Sequence, residues 1–174
     1  PFPDYPPLRQ YTEAIQDLLD KYPVGVYDPE RTAAIMRAKG WAKDAEGIWT
    51  KDGQPFKMVV DIYPIFTDLA PVLVAQLKQA GFAASFRQTS DTYTRLTQGV
   101  GKTYLQGHGG SVRDPYFTLR LYHGRYVKPT GTFAEYFWRW QNAEFDAIVD
   151  EMGSTAPGDP KLTELFHQAM DIWL

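Results

Sequence analysis

Hydrophobic and polar positions switch period several times along the chain, and each switch marks an element. Leu8, Tyr11, Ile15, Leu18, Leu19 and Tyr22 recur at helical spacing, and Pro23 ends that helix. Asp28-Pro29-Glu30 predicts a helix start, with a capping carboxylate, proline at the first helical position and acid in the first turn. This second helix carries Ala33, Ala34, Ile35 and Met36 and closes at Gly40. Gly47–Lys51 and Gln54–Lys57 read as extended segments joined by Asp52-Gly53, a type I′ hairpin turn that needs positive φ at both central residues.

From Phe56 the pattern becomes that of a buried sheet. Phe56, Met58, Val59, Val60, Ile62 and Tyr63 predict a first core strand. Thr67 or Asp68 then offers a cap to a helix bearing Leu69, Val72, Leu73, Leu77 and Ala80, which stops at Gly81. Phe82 to Phe86 is a second apolar run. A short helix capped by Ser90 or Asp91 follows, carrying Tyr93 and Leu96, and a third strand starts at Tyr104 and Leu105. Strand, helix, strand, helix, strand with short links predicts a right-handed parallel β-α-β-α-β unit. Phe56–Tyr63 should lie between Ala83–Gln88 and Thr103–Gln106, with helices on both faces, because successive crossovers that cover both faces leave the first strand in opposite directions. Ligands of such sheets bind outside the carboxyl ends of the strands, here Pro64–Asp68, Thr89–Asp91 and Gly107–Asp114.

Beyond Pro115, Tyr116, Phe117, Leu119, Leu121 and Tyr122 predict a short helix, and Gly124 to Trp140 an aromatic loop. Asn142 caps a helix bearing Phe145, Ile148, Val149 and Met152. Asp159-Pro160 starts a last helix with Leu162, Leu165, Phe166, Ala169, Met170 and Trp173. No repeat, low-complexity tract or linker interrupts the chain, so a single domain over 1–174 is expected. The opening Pro1-Phe2-Pro3 and the close inside an amphipathic helix read as a piece of a longer protein.

Composition removes some function classes. A formal net charge of −3 gives no electrostatic reason to expect nucleic acid as a partner. The absence of cysteine excludes disulfides and thiolate metal sites, and no apolar run approaches the roughly 18–20 residues that span a bilayer.

Catalytic motifs fail in detail. Gly101-Lys102-Thr103 lacks the P-loop glycine five residues earlier, where Leu96 stands, and it enters a strand rather than a helix. Gly109-Gly110-Ser111 is half of a nucleophile elbow, but Arg113 occupies the position of the closing glycine. His108, His123 and His167 have no zinc-ligand spacing. No metal, cofactor or catalytic residue is assigned. Aromatic residues make up 15% of the chain, and Trp138 and Trp140, one apart in the glycine-flanked loop, are candidates for a flat binding surface.

Taken in order, Asp28-Pro29-Glu30, Lys39-Gly40-Trp41, Gly47-Ile48-Trp49, Lys51-Asp52-Gly53, Leu77–Gly81, Gly107–Pro115, Asn142–Asp146 and Asp159-Pro160 resemble the family 5 solute-binding proteins of ABC transporters. These are receptors of the dipeptide- and oligopeptide-binding type. The resemblance implies a three-layer α/β lobe of the type II periplasmic-binding-protein kind, most of the C-terminal lobe of a two-lobed receptor. Its partners would be a small or short oligomeric ligand (peptide or sugar), the missing N-terminal lobe and the ABC permease subunits. Its place would be the periplasm or the outer face of the cytoplasmic membrane. The implied ligand-binding residues are His108, Gly109, Gly110, Ser111 and Asp114, joined by Trp138 and Trp140. Peptide-binding members carry Gly-Trp-x-x-Asp before an Asp-Pro, and that first Asp holds the peptide ammonium. Aligned on Asp114-Pro115, the tryptophan becomes His108 and the acid becomes Ser111, which supplies no charge. Uncharged, hydroxyl-rich ligands are therefore expected ahead of free peptides. A hydrolase using the Gly109–Ser111 loop, with His108 as its base, is the rival reading; a purely structural interaction domain is the third.

Overall fold

A computed structural model describes residues 6–23, 25–101, 103–107, 110–111 and 113–174. In chain order the elements are α1 (Arg9–Glu13), α2 (Gln16–Lys21), α3 (Pro29–Ala38), β1 (Ala42–Lys43), β2 (Trp49–Lys51), β3 (Gln54–Pro55), β4 (Lys57–Ile62), α4 (Ala70–Gln79), β5 (Ala83–Arg87), α5 (Thr92–Thr97), β6 (Tyr104–Leu105), α6 (Tyr116–Leu119), α7 (Ala143–Ser154) and α8 (Pro160–Trp173). They fall into two compact units: a sheet unit, Tyr27–Gly107, and a helical unit made of Pro1–Val26 and His108–Leu174.

In the sheet unit the central strand is β4. It pairs in parallel with β5 on one side and β6 on the other, in the order β5-β4-β6, as the two crossovers require. Alternate residues of β4 therefore face opposite ways. Val60 and Ile62 are buried with Ala70 and pack with Leu73, Leu77 and Phe66. This corrects the stripe expected for α4. Leu69 and Val72 are about half exposed, and the inward positions are Ala70, Leu73, Val74 and Leu77, the spacing i, i+3, i+4, i+7 of one helical face. The expected cap at Thr67 or Asp68 is also absent. A 3-10 turn over Pro64–Leu69 precedes α4 with no side-chain cap at Leu69, and the Thr67 hydroxyl donates instead to the Pro64 carbonyl at 2.6 Å. At α5 the Asp91 carboxylate takes the Thr89 hydroxyl rather than a helix N–H.

The Asp52-Gly53 turn has positive φ at both residues, +51° and +72°, as a type I′ hairpin needs, and joins β2 to β3. The two-residue β1, absent from the sequence reading, adds to it as a third antiparallel strand. This small sheet is fastened to the end of α4 by Trp49, which is 2% exposed. Its backbone N–H donates to the Gly81 carbonyl at 2.8 Å and its indole N–H to the Ala80 carbonyl at 3.0 Å. Gly81 has φ +95°, and a Cβ there would stand 2.6 Å from the Gly47 carbonyl oxygen. Backbone cannot step aside as a side chain can. Gly81→Ala is expected to cost about 1–3 kcal/mol, read as a lower urea midpoint at unchanged slope; a loss within error would show the joint to be loose.

Three of the caps predicted from sequence form, two of them in the helical unit. Asn142 accepts from the N–H groups of Glu144 and Phe145, both at 3.0 Å, and Asp159 accepts from Lys161 at 2.9 Å. The third, Asp28 to Arg31 at 2.8 Å, belongs to the sheet unit. Helices α7 and α8 bury Phe145, Val149, Met152, Leu162, Leu165, Ala169 and Met170 against Tyr11, Ile15 and Leu18. The single helix expected over 8–22 is instead broken at Ala14-Ile15 into α1 and α2. Thr12 donates its hydroxyl back to the Leu8 carbonyl at 3.4 Å, a local bond that bends helices, and the break leaves Tyr11, Ile15 and Leu18 all buried. The short helix after Pro115 is α6 continued by a 3-10 turn over Arg120–Tyr122.

Candidate functional site

Because β4, β5 and β6 run parallel, their carboxyl ends share one edge of the sheet unit. The turn after β4 presents Ile65 and Leu69, 74% and 54% exposed, and α5 presents Tyr93, half exposed, whose ring lies 6.1 Å from that of Tyr63. Thr67 and Gln88 add uncharged hydrogen-bonding groups, with Thr67 Oγ1 3.0 Å from the Gln88 side-chain amide. Phe66 braces the end of β6: a Cβ at Gly107 would meet its ring at 2.7 Å. Asp68 and Asp91 are exposed in the same segments, so the surface combines apolar, aromatic, neutral polar and acidic groups, a mixture suited to a small organic solute. The strand-end rule pointed to these segments, but the sequence reading named none of their side chains as site residues. The available signal was Tyr63 and Tyr93, each at the boundary between a strand end and a helix start.

The loop residues named from the resemblance lie in the helical unit, and His108 and Gly109 are outside the described residues. Ser111 is turned toward α6. Its hydroxyl donates to Thr118 Oγ1 at 2.9 Å and accepts from the Thr118 N–H at 2.9 Å, while its N–H donates to Thr118 Oγ1 at 2.8 Å. Ser111 thus ties the loop to the helix, using the proton that a nucleophilic serine would pass to a base. Asp114 Oδ1 accepts from the Tyr116 N–H at 3.0 Å, which starts α6. Burial, and secondarily the Asp114 charge, hold the Tyr11 phenol above its ordinary value.

Trp138 and Trp140 are anchored by other rings. Trp138 stacks on Tyr122 at 4.6 Å with 22° between planes, so one of its faces is covered. Trp140 meets Phe145 at 5.0 Å and Trp173 at 5.5 Å edge-on and stays 37% exposed. Among the described residues, no helix is long and apolar enough to cross a membrane and no group of three acidic or histidine side chains could hold a metal ion.

No protein-family model matches the sequence, and a search of curated proteins finds no match. Solved structures do match. NikZ from Campylobacter jejuni in complex with Ni(L-His) superposes with TM-score 0.64 at 18% identity, over 83% of this chain and 29% of that one. HbpA2 from Haemophilus parasuis gives 0.61 at 15% identity, over 99% and 38%. The oligopeptide-binding protein AppA from Bacillus subtilis, in complex with a nonapeptide, gives 0.57 at 18% identity, over 84% and 29%. The chain spans less than half the length of each. Its fold is that of a segment of the family 5 solute-binding proteins of ABC transporters, the type II periplasmic-binding-protein architecture.

Proposed function

We propose that this chain is most of the C-terminal lobe of an extracytoplasmic solute-binding protein, which holds its solute against an N-terminal lobe and delivers it to ABC permease subunits. The carrying observation is the strand-end surface of the sheet unit, where Ile65, Leu69 and Tyr93 stand exposed beside Thr67 and Gln88. Exposed apolar groups rimmed by hydrogen-bonding groups are costly to leave in water and useful against a ligand. The ligand is read as a short oligomer, peptide or sugar. The structures that share the fold were solved with a nonapeptide and with Ni(L-His), so both kinds belong in the test. Ser111 carries no charge and its hydroxyl is engaged by Thr118, so a ligand ammonium finds no anchor there. Within the helical unit, Gly110, Ser111, Asp114, Trp138 and Trp140, with His108 and Gly109, are proposed as ligand contacts in their own right.

Calorimetry on the full-length parent and on this chain, with free and N-acetylated peptides, oligosaccharides and Ni(L-His) as probes, tests the reading. The best probe should bind the parent about a hundredfold more tightly than the chain. Losing even about 100 Å² of apolar contact from a second lobe removes roughly 2.5 kcal/mol. Tyr93→Ala in the parent should weaken it about tenfold, and an acetylated peptide should bind as well as the free one. Equal affinities for chain and parent, with no effect of Tyr93→Ala, would rule the proposal out.

A further inference from the structure

On the sheet face opposite α4 lies a charged cluster that the strand-end surface does not use. Asp61 of β4 pairs in register with Arg87 of β5 and with Tyr104 of β6, so the three side chains form a row across one face. Asp61 is 1% exposed, and Arg87 engages both of its oxygens, Nε to Oδ1 at 2.6 Å and Nη2 to Oδ2 at 2.9 Å. The carboxylate is thereby matched in charge and geometry. Arg95 of α5 is nevertheless held over it, its nearest nitrogen 3.6 Å from Oδ2. The Nε of Arg95 and the hydroxyl of Tyr104 are both buried with no hydrogen-bond partner among the described residues. Gly101 makes room for that hydroxyl, which occupies the place a Cβ would take.

A cleft of about 420 Å³ opens at this cluster, with Lys57, Asp61, Arg87, Arg95, Gly101 and Thr103 in its walls. Among the described residues Arg87 and Arg95 approach Asp61, and Lys57 lines the same cleft. With Asp91, whose carboxyl is held low first by the Thr89 hydroxyl, counted as well, the described residues here (Lys57, Arg87 and Arg95 against Asp61 and Asp91) carry one positive charge in excess, although the whole chain carries −3. Burial and, secondarily, the Asp61 charge raise the Tyr104 phenol, so it stays protonated. A buried guanidinium N–H left unpaired beside surplus positive charge is costly unless an acceptor bearing negative charge meets it.

We propose that this cleft binds a small oxyanion, a carboxylate or phosphate group, held by Arg95 with Arg87 and Lys57 adding charge, while Tyr104 packs behind Gly101. The site is separate from the strand-end surface and stands or falls without it. The test titrates inorganic phosphate, succinate and chloride into this chain at matched ionic strength, following melting temperature and amide NMR shifts. Phosphate or succinate should raise the melting temperature saturably and shift amides of Arg95, Gly101 and Tyr104, and chloride should not. Which of the two acts identifies the source of the oxyanion. Arg95→Gln should weaken binding at least about tenfold while melting within about 3 °C of the parent chain in chloride, since Asp61 keeps Arg87. Should that variant not fold, Arg95→Lys and Lys57→Gln decide: weaker binding in either supports the site. No saturable response, an equal response to chloride, or unchanged affinity in the variants overturns it.

Discussion

Phe145→Ala is expected to lower the stability of the helical unit by about 3–5 kcal/mol, the range for emptying a buried aromatic site. Phe145 is 0% exposed. It sits in the first turn of α7, where its backbone N–H is held by the Asn142 cap at 3.0 Å, so the Cα cannot drift inward to fill the space. The ring contacts Trp140 at 5.0 Å and Trp173 at 5.9 Å, and those two contact each other at 5.5 Å. Trp173 is also fixed by Tyr122 at 4.2 Å, so the walls of the cavity cannot collapse together. Urea unfolding followed by tryptophan fluorescence reads the loss, and Phe145→Leu, which keeps most of the volume, should cost under about 1.5 kcal/mol. A loss under about 1 kcal/mol for the alanine variant would mean that the aromatic cluster is not a packed core.

Arg87→Met should lower stability by more than most charge removals at a surface, because the damage falls on Asp61. The carboxylate is almost wholly buried, and the substitution strips both of its short hydrogen bonds while leaving its charge in place. Arg95, at 3.6 Å, recovers part of the Coulomb attraction but not the bidentate geometry. Asp61→Leu in the same chain removes the buried charge, so the double variant should regain more than half of what the single one lost. Thermal and urea unfolding of the two single variants and the double variant close the cycle. Strict additivity would show that Asp61 and Arg87 act independently, against the geometry.

The devices legible in the sequence are those whose partners lie within three or four residues. Asn142 caps Phe145 and Asp28 caps Arg31 because a short side chain reaches only the first-turn N–H groups. Asp52-Gly53 turns because Asp and Gly are among the few residues that accept positive φ cheaply. The strand order β5-β4-β6 was legible as well, since short helical crossovers between parallel strands leave few topologies. Where two local solutions competed, the outcome lay elsewhere. Thr67 could cap a helix or close a 3-10 turn, and it closes the turn where Ala70 and Leu73 pack with Val60 and Ile62 of β4. The strand-end surface was placed by topology, but its side chains depend on which face Tyr63 and Tyr93 present, and the bonds between Ser111 and Thr118 were not legible because they join residues seven apart across a loop and a helix. The row Arg87–Asp61–Tyr104 and the stack of Trp138 on Tyr122 are decided by tertiary structure alone. Strand register and the packing of loop against helix bring those residues together, and a side chain's own chemistry specifies what it can bond but not which distant residue the folded backbone sets beside it.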